Sequence, residues 1–197
     1  MKIRGYHPNA YLIYLLKFAA VFCICYFGTL AIIGLAAPGH YYSWFIHDYF
    51  NYVSWFRAFL LNASKAVLSV FGYDTYVFGK YILKIKGGSG VRIVYMCLGY
   101  GVMSFWIAFI AANKGRLKRK LLWTSGGLLV ICFINIVRIC LLLVATNKHW
   151  IIPYFNHHTW FNIFAYLMIF ILIYFYDRSL KIKSTAIIRK STAFNIK

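Results

Sequence analysis

Acidic side chains are nearly missing from this 197-residue chain. Asp48, Asp74 and Asp177 stand against 22 lysines and arginines, and the net charge is +19. Charge of either sign is also scarce, at 13% of residues, whereas a soluble globular domain carries about 25%. With 62% hydrophobic residues, that shortage excludes an ordinary soluble domain and points to an integral membrane protein. There is no CxxC and no Cys/His spacing of a metal site, so neither metal nor other cofactor is expected. Cys23, Cys25, Cys132 and Cys140 fall inside apolar runs, which argues against a disulfide scaffold; Cys97 lies near an aqueous edge. No repeat or pore motif marks a transporter or channel.

What is abundant is aromatic. Seventeen tyrosines, eighteen phenylalanines and six tryptophans exceed the needs of a small core, and amphipathic rings suit membrane interfaces. The positive charges flank apolar runs instead of forming a stripe. They fit membrane topology and contact with anionic phospholipid, not nucleic acid.

The expected fold is all-α: a single membrane domain over 1–197 with four transmembrane helices, at about 11–37, 93–112, 121–144 and 157–176. The apolar stretch from Phe18 to Ala37 exceeds the roughly 7–15 residues of a signal-peptide core, which favours a retained helix. Basic clusters before the first span, in "NKGRLKRK" (Asn113 to Lys120) and after the fourth place both termini in the cytoplasm. Residues 38–92 and 145–159 then face outward across the cytoplasmic (inner) membrane. Within the outer segment, Asn51 to Gly72 reads as an amphipathic interfacial helix. Its expected apolar face holds Phe56, Phe59, Leu60 and Ala63, with Arg57, Ser64 and Lys65 mostly elsewhere; a fifth span is the alternative. Alternation through Tyr81–Lys86, the Gly87-Gly88-Ser89-Gly90 turn and Val91–Val94 predict a short β-hairpin.

Polar groups within the spans are the candidate chemistry. Arg138 lies six residues before Val144, about 9 Å below that outer end, with Asn135 and Cys132 on its face. A structural seam and a functional charge are both open readings. Cys97, in "YMCLGYG", is either a small packed hydrophobe or a nucleophile; Gly99 and Gly101 permit close approach of another backbone. A helix start there would supply free N–H groups and a dipole favourable to a thiolate. His157 and His158 stand at the outer start of the fourth span, pointing about 100° apart, so no more than one of them could face the bundle; two headgroup-facing polar residues are the other open reading. Three distant spans thus place a thiol, a guanidinium and an imidazole in one outer layer: a nucleophile, an anion-stabilising group and a base. No acid lies near this layer in the spans, so Asn135 or Asn162 is the candidate orienter of the histidine.

These stretches resemble the exosortase/archaeosortase family of membrane cysteine transpeptidases, over roughly Tyr76 to Tyr176. "MCLGYG" resembles its cysteine segment, "NIVRI" its arginine segment and "NHHTWFN" its histidine segment. Here Leu98 follows the cysteine and Thr159 follows His158, where the family often has a small polar residue and an aspartate. The resemblance implies catalytic Cys97, Arg138 and His158, with His157 the weaker match. It also implies, as substrates, exported proteins with a C-terminal sorting signal, and an amine on a glycan or lipid as acceptor. A noncatalytic membrane module, in polysaccharide export or lipid binding, is the alternative. Residue-specific labelling is expected to find 40–90 and 146–157 outside and 113–120 inside; cytoplasmic labelling of 146–157 would defeat both the topology and the shared outer layer.

Overall fold

A computed structural model describes residues 8–36, 44–49, 51–148, 163–164 and 166–179. Its contacts divide the chain into two units, 1–154 and 155–197. The first unit holds helices α1 (Pro8–Ala36), α2 (Trp44–Tyr49), α3 (Tyr52–Val70), α4 (Tyr100–Ala112) and α5 (Leu117–Asn147). Between α3 and α4 lie strands β1 (Thr75–Phe78), β2 (Ile82–Ile85) and β3 (Gly90–Arg92), followed by a 3-10 turn at Tyr95–Leu98. The described part of the second unit is a helix, α6, over residues 166–179.

Among the described residues, two helices are long and apolar enough to cross a membrane, within α1 and along α5. At 1.5 Å per residue, the 31 residues of α5 extend about 46 Å. Buried residues make up 6% of the most apolar stretch of α1 and 28% of that of α5. The core helix of a soluble protein would be covered, so these surfaces suit lipid. The predicted span 93–112 is corrected. Its helix begins at Tyr100, runs 13 residues and extends about 20 Å. The cause is local: the Ile93 N–H continues the sheet by donating to the Tyr81 carbonyl at 2.8 Å. Gly99 then takes φ +71°, a left-handed conformation that interrupts any helix of L residues. The segment expected to form a fourth span is helical over 166–179; its expected start at His157 lies outside the described residues.

Helix α3 forms where the amphipathic helix was expected. Asn51 caps it by accepting the Ser54 N–H at 3.1 Å, and Gly72, at φ +81°, follows its end. Its buried face is not the expected one. Val53, Arg57, Leu60, Leu61, Ser64 and Leu68 turn inward, while Phe59 is 55% exposed. Arg57 and Ser64 therefore lie inside, a correction of the sequence reading. Apolar periodicity alone did not reveal that the rings of Tyr81, just before β2, and Tyr95, in the 3-10 turn, would cover the guanidinium.

The predicted hairpin is present as β2–β3, with Leu83 opposite Val91. Strand β1, not anticipated, adds antiparallel to β2, with Val77 opposite Leu83. The sheet packs on α3 and α5, and Leu83, Ile85, Val91 and Ile93 enter the core with Leu60, Leu68, Ile139 and Leu143. The hairpin turn docks on the end of α5: Ser89 N–H donates to Asn147 Oδ1 at 3.2 Å.

Helices α4 and α5 are antiparallel across the basic connection. That turn is closed by Lys120 Nζ donating to the Ala111 carbonyl and Asn113 Nδ2 to that of Phe109, both at 2.8 Å. These bonds satisfy carbonyls at the end of α4. Helix α1 covers α4 through aromatic contacts, Phe18 edge-on to Phe105 at 5.3 Å and Tyr26 against Tyr100 at 5.4 Å. Thr29 Oγ1 shares a 2.7 Å hydrogen bond with the Tyr52 hydroxyl, tying α1 to α3.

Helices α4 and α5 pack tightly at Gly127. A Cβ there would collide with the indole of Trp106, which is fully buried and donates Nε1–H to the Trp123 carbonyl at 3.1 Å. The ring cannot swing aside without losing that bond. Gly127→Ala is expected to destabilise the protein by about 1–3 kcal/mol through overpacking. Gly126→Ala meets open space and is expected to be neutral or better, since alanine favours helix. Thermal unfolding in detergent compares the two; equal midpoints would contradict this account of the α4–α5 contact.

Candidate functional site

The candidate site is built on the break between the sheet and α4. Val94 is extended, and its carbonyl accepts the Cys97 N–H at 2.9 Å, which closes the 3-10 turn. Cys97 therefore lies on the turn before α4, not within a helix as expected from the sequence. It is 6% exposed and belongs to the same buried core as Leu98, Ile139, Cys140 and Leu143, rather than lying at an open aqueous edge. All five cysteines are free thiols.

A turn buried in this way leaves backbone groups that water cannot satisfy. Asn135 on α5 supplies the partner: its Nδ2–H donates to the Leu98 carbonyl at 3.0 Å, and Asn135 is itself 6% exposed. Gly99 is required at the next position for two reasons. Its φ is +71°, and an added Cβ would stand 2.5 Å from Asn135 Nδ2. The Gly99 carbonyl then accepts the Met103 N–H at 3.0 Å, the first hydrogen bond of α4. No side chain caps that helix start. The amides of Tyr100, Gly101 and Val102, which have no intrahelical acceptor, therefore gather just beyond Cys97.

Arg138 lies three residues beyond Asn135 on α5, on the same side and about 4.5 Å farther along the axis. It is half-buried. The structure thus joins Cys97, Gly99 and Asn135 through the turn, and Arg138 belongs to the helix that holds it. His157, His158 and Asn162 lie outside the described residues. At the other end of α4 is the basic connection, so the cysteine turn and the basic loop occupy opposite ends of one helix.

A residue that the sequence analysis set aside also belongs to this region. Arg57 of α3 is 2% exposed, and its guanidinium carbon lies 4.2 Å from the Tyr95 ring centroid and 4.6 Å from that of Tyr81. Its Nε is buried without a hydrogen-bond partner. The sequence signal was slight: an arginine seven residues before a serine, both on one helical face.

A helical protein with membrane-length apolar helices and a cysteine turn held between a small sheet and a polar helix position defines the class. The family model described as transmembrane exosortase matches residues 10–176, and the chain belongs to that family. The match reaches well upstream of Tyr76, so α1 and α3 are part of what the family shares. No curated protein and no solved structure matches the chain significantly.

The Asn135 contact yields a coupled prediction. Asn135→Ala strands the Leu98 carbonyl and is expected to cost about 1–3 kcal/mol. Gly99→Ala is expected to be severe alone and less severe beside Asn135→Ala, since the obstruction is then gone while the backbone strain remains. Unfolding midpoints of the two single variants and the double variant test this; strict additivity would deny the contact its importance.

Proposed function

We propose that the chain is a sorting-signal cysteine protease and transpeptidase acting on exported proteins that a C-terminal apolar helix retains in the membrane. The observation that carries the reading is the setting of Cys97: a thiol on an ordered turn, next to the uncapped start of α4, in a member of the exosortase family. The site faces the outer side of the cytoplasmic membrane, with both termini inside. In support, the cysteine turn and the basic Asn113–Lys120 connection lie at opposite ends of α4.

The substrate's scissile carbonyl lies against Cys97. His158 takes the thiol proton, and the thiolate forms a bond to the carbonyl carbon. The oxyanion is stabilised by the Arg138 guanidinium and by amides at the start of α4. Collapse breaks the C–N bond as His158 returns the proton to the leaving amine, which leaves a thioester on Cys97. An amine of a glycan or lipid resolves the thioester by transfer, or water resolves it by hydrolysis. Burial of Cys97 keeps bulk water away and supports transfer. Asn135 holds the turn, and Asn162 is the alternative orienter of His158; His157 is a lesser candidate for the base. Anionic phospholipid satisfies the basic flanks.

Cys97→Ala is expected to abolish cleavage of the exported substrate while leaving insertion intact, and Cys97→Ser to be nearly as inactive. Arg138→Lys is expected to be damaging if planar, multi-donor geometry is required. His158→Ala should cost more activity than His157→Ala. The decisive measurement is a substrate acyl adduct located on Cys97 by mass spectrometry. Normal processing by Cys97→Ala would instead support a noncatalytic membrane module.

A further inference from the structure

We infer that Arg57 is a positioning residue for the Cys97 turn, acting through the faces of Tyr81 and Tyr95; its importance for catalysis, though not for the turn's order, rests on the reading of Cys97 as nucleophile. The guanidinium carbon stands 4.6 Å and 4.2 Å from the two ring centroids, within cation–π range of both. Each ring marks a fixed point on the path to the cysteine. The Tyr81 carbonyl accepts the Ile93 N–H at 2.8 Å, and Tyr95 opens the 3-10 turn that contains Cys97. Arg57 therefore fastens the strand that enters the turn to the first residue of the turn itself. Asn135 fastens the other side through Leu98. The thiol sits between two clamps from different helices, α3 and α5.

Stability alone is a poor explanation for this arginine. It is 2% exposed, and its buried Nε has no hydrogen-bond partner. Among the described residues, no acid pairs with it, and the exposed Asp74 is engaged by Lys86 at 3.0 Å. Burial of a charged group without such partners is costly, and the two rings offset part of that cost. A hydrocarbon side chain would occupy the space without it. What a hydrocarbon lacks is an electrostatic preference for the ring faces. Arg57 supplies a point that both rings must face, and so limits how the Tyr95–Leu98 turn shifts against the sheet.

The test uses the full chain in phosphatidylethanolamine–phosphatidylglycerol nanodiscs. Alkylation by N-ethylmaleimide is followed at each cysteine by mass spectrometry. A buried thiol reacts through local opening, so its rate reports the order of its surroundings. Cys140, buried on α5 and donating to the Ser64 carbonyl at 3.6 Å, is the internal control. Arg57→Met and Tyr95→Leu are each expected to raise the Cys97 rate roughly tenfold, the scale of a desolvated cation–π contact, with Cys140 unchanged. Tyr95→Phe keeps the π face and is expected to leave Cys97 as slow as in the parent. Arg57→Lys keeps a cation and is expected to restore most of the protection. Substrate cleavage is expected to fall in the two variants that release Cys97.

An unchanged Cys97 rate in Arg57→Met would overturn the inference. So would a joint rise at Cys97 and Cys140, which signifies general loosening, or equal release by Tyr95→Phe and Tyr95→Leu. Failure of the transpeptidase reading is separately visible: Cys97→Ala would process substrate normally, while the alkylation pattern of the clamp variants would be unaffected.

Discussion

The hydrogen bond from Asn135 to the Leu98 carbonyl is the constraint around which the described part of the first unit is arranged. A backbone that leaves helical geometry inside a buried region has to find protein partners for its polar groups. The turn at Tyr95–Leu98 is such a departure, and α5 contributes the partner from one of its few polar positions. That bond sets the level of α5 against the start of α4. It also requires glycine at 99, because any Cβ would occupy the place of the amide. Farther along the same pair, Gly127 admits Trp106 by the same logic of close approach. The two contacts determine how α4 and α5 lie together, and hence where Arg138 stands relative to the cysteine turn.

Cations in this fold are accommodated without many anions. Lys120 donates to a backbone carbonyl at the end of α4, and Arg57 lies between two tyrosine rings. The exposed Lys86–Asp74 pair joins groups that water would solvate well, and such pairs add little stability. Tyrosines therefore have two uses here. Some present amphipathic rings at the exterior, whereas Tyr81 and Tyr95 present π faces to an interior charge. The abundance of aromatic residues compensates locally for the scarcity of acids.

Long apolar runs were readable because span length is a property of composition. The runs within α1 and α5 are long and apolar enough to cross a membrane, and little of their surface is covered. The β2–β3 hairpin was also readable, since alternation and a glycine turn are local signals. Strand β1 was not. Its four residues carry no pattern long enough to count, and pairing with β2 defines it. The inward face of α3 was misjudged because helical periodicity ranks side chains by polarity, whereas Arg57 is covered by rings contributed from the sheet region and the cysteine turn.

The candidate site divides in the same way. The types and order of its residues, Cys97 then Arg138 then a histidine, together with the glycine after Leu98, were legible in the sequence and carried the family resemblance. Sequence also fixed the chain's affinity for a membrane, because hydrophobic content and charge placement need no knowledge of packing. Tertiary structure decided that Cys97 belongs to a buried turn instead of a helix, that Asn135 meets Leu98 across 37 residues of chain, and that Arg57 lies inward. Those facts depend on distances between segments far apart in sequence. A local pattern records the preference of each segment for helix, strand or apolar surroundings; it does not record which other segment will fill the space beside it.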